Sequence, residues 1–137
     1  LSLVITIRGL ELDPATLRPR LGRGVGGYSG PALKPVALAA VYAAFRATEL
    51  PIVGMGGVRS GRDAAEFLAA GASRIAVGTT LFADPGAPVR IRRELAETAA
   101  SLGVAGPNDL CGIAHERDFA PLPPALTTSK TPAFQAN

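Results

Sequence analysis

The sequence contains no tryptophan, one cysteine, one histidine and one methionine, and aromatics make up only 5% of its 137 residues. Each scarcity excludes something. A lone thiol, Cys111, cannot build an internal disulfide framework or a multi-cysteine metal site. Few aromatics leave few platforms for stacking bases, so a net charge of +3 does not by itself indicate a nucleic-acid partner. The arginines point the same way: Arg18, Arg20 and Arg23 cluster in a Pro/Gly loop, and Arg90, Arg92 and Arg93 stand beside Glu94 and Glu97 as on a solvated helix face. No apolar run approaches the roughly 18 residues of a membrane span. No basic segment precedes the first apolar run, as a targeting peptide would require. The expectation is a reduced, cytoplasmic chain with no membrane, nucleic-acid or metal partner.

What the chain has in quantity is aliphatic residues and glycine. With 47% hydrophobic and 18% charged residues it can form one globular core. The run Leu1–Ile7 (LSLVITI) is β-branched and apolar, as in a buried parallel strand. A chain that opens inside a strand reads as part of something longer. A Pro/Gly/Arg-rich excursion follows. Then SGPALKPVALAAVYAAFRATEL predicts a helix, apolar nearly all round and so expected to pack on several sides. Ile52–Met55 predicts a second strand, and Ser60 with Asp63 three residues on predicts a capped helix that ends at Gly71. Arg74–Val77 predicts a third strand. A final helix is expected from about Pro88 to Leu102, with Ile91, Leu95, Ala99 and Leu102 on one stripe. After Gly103 periodicity fades, and APLPPALTTSKTPAFQAN is expected to be disordered.

Alternating strand and helix is the pattern of parallel α/β folds. Three such strands cannot close a barrel or finish a doubly wound sheet, so residues 1–102 are expected to be part of one or the other, with an irregular extension over 103–137. Two of the strands end in bare backbone: Met55 runs into Gly56-Gly57, and Val77 into Gly78-Thr79, 22 residues further on. A strand ending in glycine before a helix leaves backbone N–H groups aimed at one spot, and the helix start adds partial positive charge, which together suit a phosphate. The pair reads as one phosphate clamp, although either turn alone also suits close helix–strand packing.

The stretches GGYSGPALKPVAL (26–38), PIVGMGGVRSGRDAAEFLAAGAS (51–73) and VGTTLFADPGAP (77–88) together resemble the C-terminal half of the class 1 dihydroorotate dehydrogenases, with SGPALKP most similar to type B. The resemblance spans about Leu1 to Leu102, with an echo in CGIAHE. It implies an FMN enzyme on a (β/α)8 barrel, of which residues 1–102 would be a part, that oxidises dihydroorotate to orotate in pyrimidine synthesis. On it, Gly56, Gly57, Gly78 and Thr79 would hold the FMN phosphate, Gly30 would approach the cofactor, Val4 would offer a backbone contact to the flavin, and Thr6 would meet substrate. The implied partners are the N-terminal half of the barrel, a second copy of the chain and, in type B relatives, an iron–sulfur flavoprotein that passes electrons to NAD.

Two departures qualify it. Ile5 stands where the family has an asparagine that bonds the pyrimidine. The strands that carry the family's catalytic cysteine base and its flavin-facing lysine have no counterpart here, so no catalytic residue is expected in this chain and turnover by the chain alone is not expected. A related FMN-dependent pyrimidine-reducing enzyme, or a non-catalytic half-barrel, are the alternatives. Cys111 reads as incidental, His115, Tyr28 and Tyr42 as packing, and Lys34 as a solvated side chain. Ser29 could cap the following helix or touch flavin.

Overall fold

The computed structural model describes residues 1–115. The predicted tail lies outside them. Strands β1 (Ser2–Leu3), β4 (Val53–Met55) and β5 (Arg74–Ala76) form a parallel sheet in the order β1-β4-β5. The register is set by Ser2 opposite Val53 and by Gly54 between Leu3 and Ile75. Parallel neighbours need crossovers, and helices α1 (Lys34–Ala47) and α2 (Gly61–Ala69) supply them. Helix α3 (Ala87–Ser101) follows β5 and packs mainly on α2.

The start of the chain departs from expectation. Leu1–Ile7 is not one buried strand: β1 stops at Leu3, and Ile7–Leu10 forms β2, paired antiparallel with β3 (Val25–Tyr28). The Pro/Gly/Arg excursion is therefore the loop of a hairpin. Its strands include Gly9, Gly26 and Gly27, which break the apolar alternation by which a strand is recognised. Leu1, Ile5 and Ile7 are exposed because β1 is a sheet edge with no neighbour beyond it among the described residues.

The core is built where expected. Phe67 on α2, Ile52 ahead of β4 and Val41 on α1 are fully buried in one cluster with Ile91 of α3. Gly54 lets the sheet come close, since a Cβ there would sit 2.8 Å from Phe67. A second cluster joins Ala65, Leu68, Ala99 and Leu110. Leu110 belongs to a 3-10 turn, Pro107–Leu110, so residues 103–115 are packed although they hold nothing longer than single turns. Helix α1 buries only the stripe of Ala37 and Val41 and leaves Val36 and Phe45 exposed. It nevertheless packs on several sides, against β1, β4 and α2 and, through Tyr42 and Phe45, against His115. Among the described residues no helix is long and apolar enough to cross a membrane.

A candidate phosphate and flavin cleft

The α2 start folds as its sequence dictates. Ser60 Oγ accepts from Asp63 N–H at 3.1 Å, and the Asp63 carboxylate accepts in return from the N–H of Ser60 at 3.1 Å and of Arg59 at 2.9 Å. The next donor, Gly61 N–H, is taken by Glu94 of α3 at 2.8 Å. The N–H groups of Arg59, Ser60 and Gly61 are thus taken by the protein's own carboxylates and that of Asp63 by the Ser60 hydroxyl, while among the described residues the Arg62 N–H has no acceptor.

Further donors belong to the glycine turns. Among the described residues, the N–H groups of Gly57 and Gly78 have no hydrogen-bond acceptor. Both residues line one cleft of about 680 Å³, a size suited to a nucleotide-like ligand. At Gly57 φ is +80°, and a Cβ would lie 2.9 Å from the Gly30 carbonyl and 3.0 Å from Lys34 N. Glycine is therefore required there by both conformation and space. Gly78 differs: its φ is −121° and a Cβ would meet nothing within 4 Å. Its bareness opens space in the cleft. The 3-10 turn Thr79–Phe82 begins here, and the first N–H groups of a helical turn have no acceptor within it.

Thr80 Oγ1 donates to the Val58 carbonyl at 2.8 Å and ties the two turns together. From α3, Arg90 donates to the Arg59 carbonyl at 3.2 Å while pairing with Asp84 and Glu94 at 2.9 and 2.8 Å. Hydrogen bonds from Arg90 and from Gly61 N–H hold the Glu94 carboxyl below the usual range. On the other flank Lys34 Nζ reaches Asp63 at 2.6 Å and Glu66 at 2.9 Å. Lys34 is thus not solvated, as the sequence suggested, but bridges α1 to α2. Burial pushes the Asp63 carboxyl up, yet Lys34, the Arg59 N–H and the Ser60 side chain outweigh it and hold the group below its ordinary value.

Of the eight expected site residues, the cleft gathers Ile5, Thr6, Gly30, Gly56, Gly57, Gly78 and Thr79. Val4 stands behind it, with its N–H donated to the Met55 carbonyl and its own carbonyl against Gly56. Ser29 lines the cleft and caps no helix. Arg59 and Arg90 also line it, and sequence reasoning passed over both because charge on a loop and on a helix face reads as solvation. Away from the cleft, His115 stacks on Tyr42 at 4.0 Å between ring centroids and meets the Ala70 carbonyl at 3.0 Å. Tyr28 is half exposed on the hairpin, and Cys111 is exposed. Among the described residues no group of three or more His, Cys, Asp or Glu could hold a metal ion.

The family model for dihydroorotate dehydrogenase matches residues 1–99. The chain belongs to the dihydroorotate dehydrogenase family. It is 53% identical over 112 residues to a Solibacter usitatus protein named "Putative dihydroorotate dehydrogenase A (fumarate)", covering 82% of this chain and 37% of that one. To the Desulforudis audaxviator "Dihydroorotate dehydrogenase B (NAD(+)), catalytic subunit" it is 44% identical over 115 residues, covering 84% and 38%. The crystal structure of the Eimeria tenella enzyme in complex with ferulenol superposes with a TM-score of 0.70 at 27% identity, over 85% of this chain and 31% of that chain. The chain thus spans well under half the length of the family members it matches. Within the family, both the A and B branches resemble it, so the likeness of SGPALKP to type B does not separate them.

Proposed function

We propose that this chain forms the cofactor-phosphate side of an FMN-dependent dihydroorotate dehydrogenase barrel, the enzyme that converts dihydroorotate to orotate in pyrimidine synthesis. The observation that carries the reading is the convergence of two glycine turns, with the free N–H groups of Gly57 and Gly78, on one nucleotide-sized cleft. Backbone N–H groups in a fixed arrangement suit a phosphate, and the open space beside Gly78 and Gly30 leaves room for it. Gly56, Gly57, Gly78 and Thr79 hold the phosphate, and Gly30 approaches the cofactor from the opposite loop. When bound, FMN supplies the acceptor for hydride.

This chain's own share is binding and orientation. The titratable side chains that line the cleft are arginines, and an always-protonated guanidinium cannot take a proton from a C–H bond. The proton acceptor then comes from the barrel's other half. Thr6 presents a hydroxyl to substrate. Ile5 presents none, and a substrate polar group buried against it loses a partner at roughly 1–3 kcal/mol. That apolar side chain favours a second reading: an FMN-dependent relative that acts on another pyrimidine.

The relatives' names differ in electron acceptor, NAD+ or fumarate. An NAD+ branch named for a catalytic subunit fits a further electron-transfer subunit; a fumarate branch does not need one. The test is a flavin titration followed by complementation. The chain binds FMN without turning over dihydroorotate, and orotate forms once a polypeptide bearing the cysteine base and the first five strands is added. Failure to bind FMN overturns the proposal. Turnover of uracil-like bases in place of dihydroorotate selects the second reading.

A further inference from the structure

Three guanidinium or ammonium groups surround the Gly56–Ser60 turn, and they are not equivalent. Lys34 is taken up by Asp63 and Glu66. Arg90 has its Nε–H on Asp84, and its two terminal nitrogens are shared among the Arg59 carbonyl, Asp84 and Glu94. A guanidinium carries five N–H donors, and this one has none left to offer. Arg59 differs from both. It lines the cleft, is exposed, and has no carboxylate partner among the described residues.

The charge balance makes this consequential. Asp63, Glu66, Asp84 and Glu94 outnumber the cations bound to them, Lys34, Arg62 and Arg90. Without Arg59, a doubly charged phosphate settling on the two turns would enter a neighbourhood that is already slightly negative. Backbone N–H groups supply dipoles there but no net charge.

We infer that the Arg59 side chain is the counter-charge for the terminal phosphate of the flavin nucleotide, and that Arg90 is a positioning residue that holds the Arg59 backbone in place. The assignment rests on the phosphate-cleft reading above. It makes Arg59 a specificity determinant, one that favours a phosphorylated flavin over the same ring system without phosphate. The ring-facing contacts do not depend on it.

The test is fluorescence titration of the full chain, parent and Arg59→Gln, with FMN and with riboflavin at low and high salt. Arg59 is exposed, so its replacement leaves the core intact. The expected result is about a tenfold loss of FMN affinity in Arg59→Gln, riboflavin affinity unchanged, and a shallower salt dependence for FMN, with Arg59→Lys recovering part of the loss. An unchanged ratio of FMN to riboflavin affinity in Arg59→Gln overturns the inference and leaves the cleft reading standing. A parent chain that binds neither flavin overturns both.

Discussion

Gly57 and Gly78 look alike in sequence, each following an apolar strand, yet their backbones differ. Gly57 has φ of +80° with no room for a Cβ, whereas Gly78 has a negative φ, −121°, and open space before it. Alanine at position 57 must adopt a left-handed conformation against the Gly30 carbonyl, at a cost of about 1–3 kcal/mol. Thermal melting of Gly57→Ala shows that loss together with weakened FMN binding. Gly78→Ala changes stability by less than about 0.5 kcal/mol but places a methyl group in the cleft, so FMN affinity falls while the melting temperature holds. The two variants thus separate strain from obstruction. A melting temperature lowered equally in both contradicts the distinction.

The glycines proposed to hold the phosphate stand out in the sequence because they interrupt apolar runs. Their different reasons do not, since φ and local space are set by neighbours such as Gly30 and Lys34 that are far away in sequence. Lys34 shows the same limit. Its partners, Asp63 and Glu66, lie 29 and 32 residues on, and nothing local distinguishes a bridging lysine from a solvated one.

At the scale of elements, α2 is held at its start by the Ser60–Asp63 box, by Glu94 from α3 and by Lys34 from α1. The Asp63 carboxyl sits below its ordinary value in the folded chain, so the unfolded chain binds more protons there. Its contribution to stability is complete above the unfolded value near 3.8 and fades as pH falls toward the folded value. Asp63→Asn therefore melts below the parent at about pH 7, by on the order of 1–3 kcal/mol. The gap narrows in acid. A gap that stays constant down to about pH 3 contradicts the ion-pair account.

The contact between α2 and α3 has its own requirement. A Cβ at Gly61 would lie 2.2 Å from the α3 backbone at Glu94 and Leu95. Gly61→Ala forces the helices apart, at about 1–3 kcal/mol for overpacking, and loosens the Glu94 bond to Gly61 N–H. The capping box was readable from SGRD. The close approach to α3 was not, because a glycine at the first helical position carries no sign of what faces it. The β2–β3 hairpin was missed for a related reason: its strands are poor in the β-branched residues that mark a strand, and only their pairing reveals them.

For the molecule as a whole, a three-stranded parallel sheet with its crossover helices is the local architecture that the family's barrel repeats, and the alternation of strand and helix announced it. The exposed side chains of Leu1, Ile5 and Phe82, the last 93% accessible, mark surfaces that this chain alone does not cover. On the proposed function they would be covered by the remainder of the barrel.

The central claim is that two backbone turns seize one phosphate. Amide proton and nitrogen shifts of the full chain, followed as FMN or riboflavin is added, address it most directly. The account predicts that the N–H resonances of Gly57 and Gly78 move downfield together with FMN and stay in place with riboflavin. Shifts in only one of the two turns, or equal shifts with both flavins, would contradict it.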